Sequence, residues 1–216
     1  MSTDSCPHCE SSWITNLRRT WHVTRVFLRY TEVDSDLGIA EWYSPVVPGT
    51  GLHPRPGDAD SLKQHFPSID TSWTTIYYPT RKGESVDDLV DRIHTFSKAF
   101  FTALSDRIPL AGKRKRVAMF THAGTVIALV RNLVGDRHLG IKAGCCSISE
   151  LVRKERVAEG DGVFGAYDPV KLVNGDHLEK GSDRAWGFDH IEVDKGKVRA
   201  SVLLQYRELI SEVTGR

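Results

Sequence analysis

The chain has 216 residues, with 29 Lys or Arg against 28 Asp or Glu and a formal net charge of +1. Hydrophobic residues make up 40% and charged residues 26%, the balance of a globular domain with a sizeable core rather than of a disordered or fibrous chain. A charge so close to zero supplies no global field toward nucleic acid or an anionic membrane, so direct binding to either is not expected and any anion site has to be local.

The first residues are polar, with neither a basic nor an apolar stretch of the secretory-signal kind. The longest apolar run, residues 126–130, is far too short to span a bilayer. Four cysteines, two of them adjacent at Cys145 and Cys146, do not make a disulfide framework. A reducing compartment, cytoplasm or nucleus, is the expectation. Cys6-Pro7-His8-Cys9 has zinc-ligand spacing, but one such pair without a second is weak, and a reduced terminus is expected there. Lys113-Arg114-Lys115-Arg116 is either a nuclear address or phosphate patch or, more often for such a run, a solvated basic turn ahead of a strand.

In chain order, residues 1–22 read as an irregular segment and residues 23–216 as one domain. Residues 24–33 are rich in β-formers and predict a strand. Residues 44–57 carry Pro45, Pro48, Pro54, Pro56 and three glycines, a loop lying over a site or on the surface. Residues 58–66 predict a short helix. After Gly83, Ser85 and Asp88 form a capping box, and Val86, Leu89, Val90, Ile93, Phe96, Phe100 and Leu104 recur at helical spacing up to Pro109. Residues 117–121 predict a short buried strand, His122 to Thr125 a turn, and residues 126–134 an apolar helix closed by Gly135 in a left-handed cap. Residues 146–153 predict another strand, in which alternation places one of the two adjacent thiols inside and one outside. Short β pieces follow over 155–197, with Trp186 and Phe188 as core or lid aromatics, and a helix over 198–213. Helix, strand, tight turn, helix is the order of an α/β sheet.

Three places carry candidate chemistry. His122 stands between a strand and a helix start, where free backbone N–H groups and the positive end of the helix dipole favour a phosphate. Small residues at Ala123 and Gly124 permit a close backbone approach. The imidazole either binds or attacks a phosphoryl group there, or simply caps the turn. Glu41, beside Trp42 and Tyr43, is either a desolvated general acid or a surface carboxylate next to an aromatic anchor. Gly83-Glu84-Ser85 is either part of a pocket mouth or a capped helix start with a solvent-facing glutamate.

Thr121-His122-Ala123-Gly124 followed by an apolar helix resembles the second histidine motif of the histidine-phosphatase (phosphoglycerate-mutase-like) superfamily. Leu37-Gly38-Ile39-Ala40-Glu41-Trp42-Tyr43 resembles that family's general-acid segment, and Gly83-Glu84-Ser85 with Arg92 on the next helix is similar to its Gly-Glu-Ser/Thr element. The order and rough spacing agree over about residues 37–153. Glu41-Trp42-Tyr43-Ser44-Pro45, His65-Phe66-Pro67, Trp73 and Gly144-Cys145-Cys146-Ser147 resemble a fungal branch that includes a subunit of the RNA polymerase III general transcription factor TFIIIC.

The resemblance implies a three-layer α/β sandwich, a mostly parallel sheet with helices on both faces. It implies phosphomonoester hydrolysis without a metal or organic cofactor, on a phosphorylated small molecule or a phosphoprotein. His122 then matches the second histidine and Glu41 the general acid, while Ala123, Gly124, Glu84 and Ser85 match substrate-binding positions. The family's nucleophile lies in an Arg-His-Gly motif, and a second arginine comes from a Ser-Pro-x-x-Arg segment. Neither motif occurs in this sequence. The domain is therefore expected to be partial at its N-terminal side, with little or no turnover, and a scaffold role among protein partners in a transcription-factor complex is the alternative.

Overall fold

A computed structural model describes residues 25–28, 32–54, 57–65, 67, 69–107, 117–156 and 162–190. The expected segment 1–22, the stop at Pro109, the basic turn 113–116 and the helix over 198–213 lie outside the described residues. The fold is mixed α/β.

The strand expected over 24–33 is two strands that reverse on each other. Strand β1 (Arg25–Leu28) pairs antiparallel with β2 (Glu32–Ser35), Arg25 facing Ser35. On its other side β1 pairs antiparallel with β3 (Val117–Phe120), giving the order β2-β1-β3. The buried strand expected at 117–121 is thus an edge strand among the described residues. Val117 and Met119 pack on the core, and Phe120 on the other face is 41% exposed. One covered face gives alternation, whereas a strand covered on both faces would be apolar throughout.

Two helices carry the interior. Helix α1 (Ala59–Lys63) is short and capped by Asp58, whose carboxylate accepts from the Ser61 N–H at 2.9 Å. Helix α2 (Val86–Arg107) starts on the expected capping box: Ser85 Oγ donates to Asp88 Oδ2 at 2.7 Å and accepts from the Asp88 N–H at 3.1 Å. Its apolar stripe buries Leu89, Ile93, Phe96, Phe100 and Leu104. Helix α3 (Ala123–Val134) begins earlier than its apolar run and ends as expected on Gly135, at φ 85°. The α2 and α3 stripes meet over Ala128, Leu129 and Leu133, and Phe96 stacks on Phe100 at 5.4 Å. Burying side chains of this size contributes about 1.5–3 kcal/mol each, so these two helices are the rigid frame.

The remaining strands form two small ladders, β4 (Ala143–Cys145) with β7 (Asp183–Trp186) and β5 (Ile148–Arg153) with β6 (Tyr167–Asn174). Both are antiparallel. All strand pairs among the described residues are antiparallel, so the mostly parallel sheet of the expectation is not formed there. The physical reason is in the connections: β4, reached from β3 through α3, pairs with β7 rather than returning beside β3, and parallel pairing needs such a crossover. The thiols also depart from the expected alternation. Strand β4 ends at Cys145, Cys146 turns with φ 58°, and both side chains are exposed. No helix among the described residues is long and apolar enough to cross a membrane.

Candidate active site

The site is built on the turn before Glu41. Asp36 is fully buried, and its carboxylate accepts from the Gly38 N–H at 2.8 Å, from Trp73 Nε1 at 3.0 Å and from the Ile76 N–H at 3.0 Å. Burial pushes this carboxyl upward in pKa and the hydrogen bonds oppose it. The bonds fix the 3-10 turn Leu37–Ile39. Gly38 has no room for a side chain: a Cβ there would lie 2.2 Å from the Phe96 ring. The turn is thereby seated directly on α2.

Helix α3 is clipped to the same segment. Thr121 Oγ1 donates to the Ile39 carbonyl at 2.5 Å, and the buried Thr125 Oγ1 donates to the Ala40 carbonyl at 2.8 Å. These two bonds bring residues remote in sequence together: Glu41 Oε2 lies 3.7 Å from His122 Nε2. That is ion-pair range and too long for a direct hydrogen bond. The side chains are 27% and 26% exposed, so the pair opens to solvent. Glu41 Oε1 accepts from the Trp42 N–H at 3.0 Å. Burial nevertheless raises the Glu41 carboxyl to a pKa of about 7, against the Trp42 hydrogen bond and the Arg92 charge, which lower it. Glu41 is thus a carboxyl only partly withdrawn from solvent, with burial as the main cause of its raised pKa.

His122 is the N-cap residue of α3 in extended conformation, but its imidazole makes no capping bond. The first bond inside the helix runs from the Val126 N–H to the His122 carbonyl. The imidazole therefore stands at the positive end of a helix dipole without serving as its cap. Ala123 and Gly124 open the helix. Gly124 faces the tryptophans with room for a methyl group at ordinary contact: a Cβ there would lie 3.4 Å from Trp42 Cβ and 3.6 Å from the Trp186 ring. Trp42, Trp186 and Phe188 form one aromatic wall, with centroids 5.2–6.2 Å apart.

Glu84 and Ser85 do not join the pair at His122. Glu84 is buried, and its Oε2 accepts from Arg92 Nε at 3.0 Å, so of the two readings the solvent-facing glutamate is replaced by an interior ion pair. Arg92 Nη1 donates to the Gly38 carbonyl at 2.7 Å and, at 3.4 Å, to the Ala40 carbonyl; Nη2 has no hydrogen-bond partner among the described residues. Burial raises the Glu84 pKa and Arg92 opposes the rise. Ser85 is used by the capping box. The Glu84 carbonyl accepts from Trp42 Nε1 at 3.0 Å, which ties this closed pair to the aromatic wall.

On the other side of Glu41 lies a small cleft open to solvent, lined by Tyr43, His53, Pro54 and Arg81 and, from the segment expected at a pocket mouth, by Gly83 and Glu84. Tyr43 stacks on His53 with centroids 4.5 Å apart. The Ser44 carbonyl lies 2.8 Å from His53 Nε2, and Arg81 Nε donates to the His53 carbonyl at 2.8 Å. The Pro/Gly loop thus borders the site, as one of its two expected placements required. Sequence reasoning singled out neither Asp36, nor Thr125, nor His53. Asp36 had a usable local signal, a short polar cap before Leu37-Gly38, but its partners Trp73 and Ile76 are long-range.

Among the described residues, no group of three or more His, Cys, Asp or Glu side chains is placed to hold a metal ion. Chemically, the arrangement offers a carboxyl that is half protonated near neutral pH, an imidazole beside it and a helix N-terminus behind both. No protein-family model matches the chain, and no curated protein is significantly similar to it.

Proposed function

We propose that this chain is a histidine-phosphatase-like protein whose Glu41 and His122 form the proton-donating and oxyanion-binding half of a phosphomonoester site. The carrying observation is the 3.7 Å approach of Glu41 Oε2 to His122 Nε2 at the start of α3. A carboxyl with a pKa of about 7 is a proton reservoir for a leaving oxygen. An imidazole at a helix N-terminus binds a phosphoryl oxygen. On this reading the mixed α/β fold is part of the superfamily's three-layer sandwich; support comes from His122 between β3 and α3, not from the strand pairing.

Turnover is expected to be weak or absent, because the sequence has no Arg-His-Gly nucleophile motif and Arg92 is spent on carbonyls and Glu84. The test is hydrolysis of p-nitrophenyl phosphate by the purified chain and its His122→Ala variant. Near-background rates in both agree with the proposal; robust turnover abolished by the substitution would show a complete active site.

A second reading, a non-catalytic scaffold subunit of the TFIIIC kind acting through protein partners in the nucleus, is favoured by the exposed apolar side chains of the β5–β6 ladder, Ile148, Val152 and Val170. Affinity purification from the native host tests it, and a preparation free of polymerase III factors removes it.

A further inference from the structure

We infer that Cys145 and Cys146 are a vicinal dithiol modification site that takes a small disulfide of the glutathione class, and that its oxidation is transmitted through β7 to Trp186. Both thiols are free and exposed. Exposure alone does not set the pair apart, since Val152 and Arg153 are consecutive and exposed within β5; a break in the strand does. Cys146 provides it: φ is 58°, a left-handed conformation that costs a residue with a Cβ and is uncommon outside glycine and asparagine. Ser147 closes the turn over the pair, its N–H at 3.2 Å and its hydroxyl at 2.8 Å both donating to the Gly144 carbonyl.

Adjacency makes the pair reactive toward a disulfide in a reversible way. One thiolate attacks a sulfur of oxidised glutathione; that S–S bond breaks, and one glutathione departs as a thiolate that takes up a proton. The neighbouring thiolate then attacks the protein sulfur of the mixed disulfide and expels the second glutathione. In sum, two protein thiols lose two electrons and two protons to become one disulfide, and one glutathione disulfide becomes two thiols. Successive Cα atoms are roughly 3.8 Å apart, below the roughly 4.4–6.8 Å of ordinary disulfides. The eight-membered ring is therefore strained and easily reduced, which is the labile class of disulfide rather than the structural one.

The turn is in firm contact with the strand that leads to the aromatic wall. Strand β4 pairs Cys145 with Asp183 and Ala143 with Trp186, with a register shift between the two. Gly144 lies so close to the 182–183 backbone that a Cβ would stand 2.8 Å from Ser182 Oγ and 2.9 Å from the Asp183 carbonyl oxygen. Ring closure has to rotate the backbone at Cys146, and the neighbouring β7 cannot stay still while it does. Trp186 at the end of β7 is the residue packed over Gly124 and against Trp42.

The test uses the full chain with Cys6→Ser and Cys9→Ser, leaving only the vicinal pair. Incubation with oxidised glutathione is followed by thiol counting, intact mass and tryptophan fluorescence. The expected result is loss of both thiols and of two hydrogens by mass without a glutathione adduct, full recovery with dithiothreitol, and a fluorescence change that disappears in a Trp186→Phe background. Adding Cys146→Ser should stop the reaction at a single glutathione adduct. A chain that stays reduced, or that ends with stable glutathione adducts while both cysteines are present, overturns the site. Disulfide formation with unchanged fluorescence overturns the link to Trp186.

Discussion

Two acid–base pairs lie side by side and behave differently. Glu84 and Arg92 meet at 3.0 Å with 6% and 0% of their side chains exposed, and Arg92 is further held by the Gly38 carbonyl. Glu41 and His122 stop at 3.7 Å and stay about a quarter exposed, at 27% and 26%. The same burial that raises both carboxyls has opposite uses. In the closed pair a permanent cation answers the carboxylate directly, and the pair locks the start of α2 to the turn at Gly38. In the open pair Arg92 acts only through its charge, and Glu41 is left near the midpoint of its titration at neutral pH. The closed pair specifies structure, and the open pair keeps a proton available.

The largest expected effect breaks the closed pair. Arg92→Ala leaves Glu84 buried without its cation and should cost about 3–5 kcal/mol in urea unfolding; a loss under about 1 kcal/mol would mean that this pair is no more than a surface contact. Next, Gly38→Ala forces a Cβ into the Phe96 ring. It should cost about 1–3 kcal/mol and loosen the turn that buries Glu41, read as a lowered Glu41 pKa in a carboxyl NMR titration.

The third prediction separates the pairs by pH. Glu41 is raised from 4.5 to about 7, so between those values the folded chain holds a proton that the unfolded chain has released. This contribution is absent below about pH 4.5 and destabilises progressively as pH rises toward about 7. Glu41→Gln should therefore leave stability unchanged below about pH 4.5 and raise it by on the order of 2 kcal/mol above about pH 7. Parallel stability curves for the two chains across that window would contradict the open, desolvated carboxyl. The smallest effect sharpens the boundary between the regions: Ser85→Ala should cost about 1 kcal/mol through the lost cap and leave the Glu41 titration unmoved.

What was legible in the sequence follows the range of each interaction. The capping box at Ser85 and Asp88 and the left-handed cap at Gly135 depend on neighbours in the chain, and both stand where the pattern placed them. The edge position of β3 depends on a partner far away in the chain and was hidden in a run that read as buried, whereas the reversal between β1 and β2 is local, Leu28 pairing with Glu32, and was hidden because residues 29–31 carry no Gly, Pro, Asn or Asp to mark a turn. At Glu84 the sequence left a pocket mouth and a solvent-facing glutamate both open, because its partner Arg92 lies two turns into α2 and is buried by the turn at Gly38. The meeting of Glu41 with His122 was carried in the sequence only by the family resemblance. In the folded chain it is produced by Thr121 and Thr125 reaching back to the Ile39 and Ala40 carbonyls, bonds that no local pattern announces. The adjacent thiols show the same limit in reverse: alternation failed at Cys146 because the strand had already ended.

Calorimetric titration of the full chain with phenyl phosphate at about pH 6, where most of Glu41 is protonated, tests the central claim most directly. The account predicts saturable binding that Glu41→Gln retains and His122→Ala reduces at least about tenfold, a difference of roughly 1.4 kcal/mol. Equal binding by the wild-type chain and His122→Ala, or no binding by the wild-type chain, would contradict it.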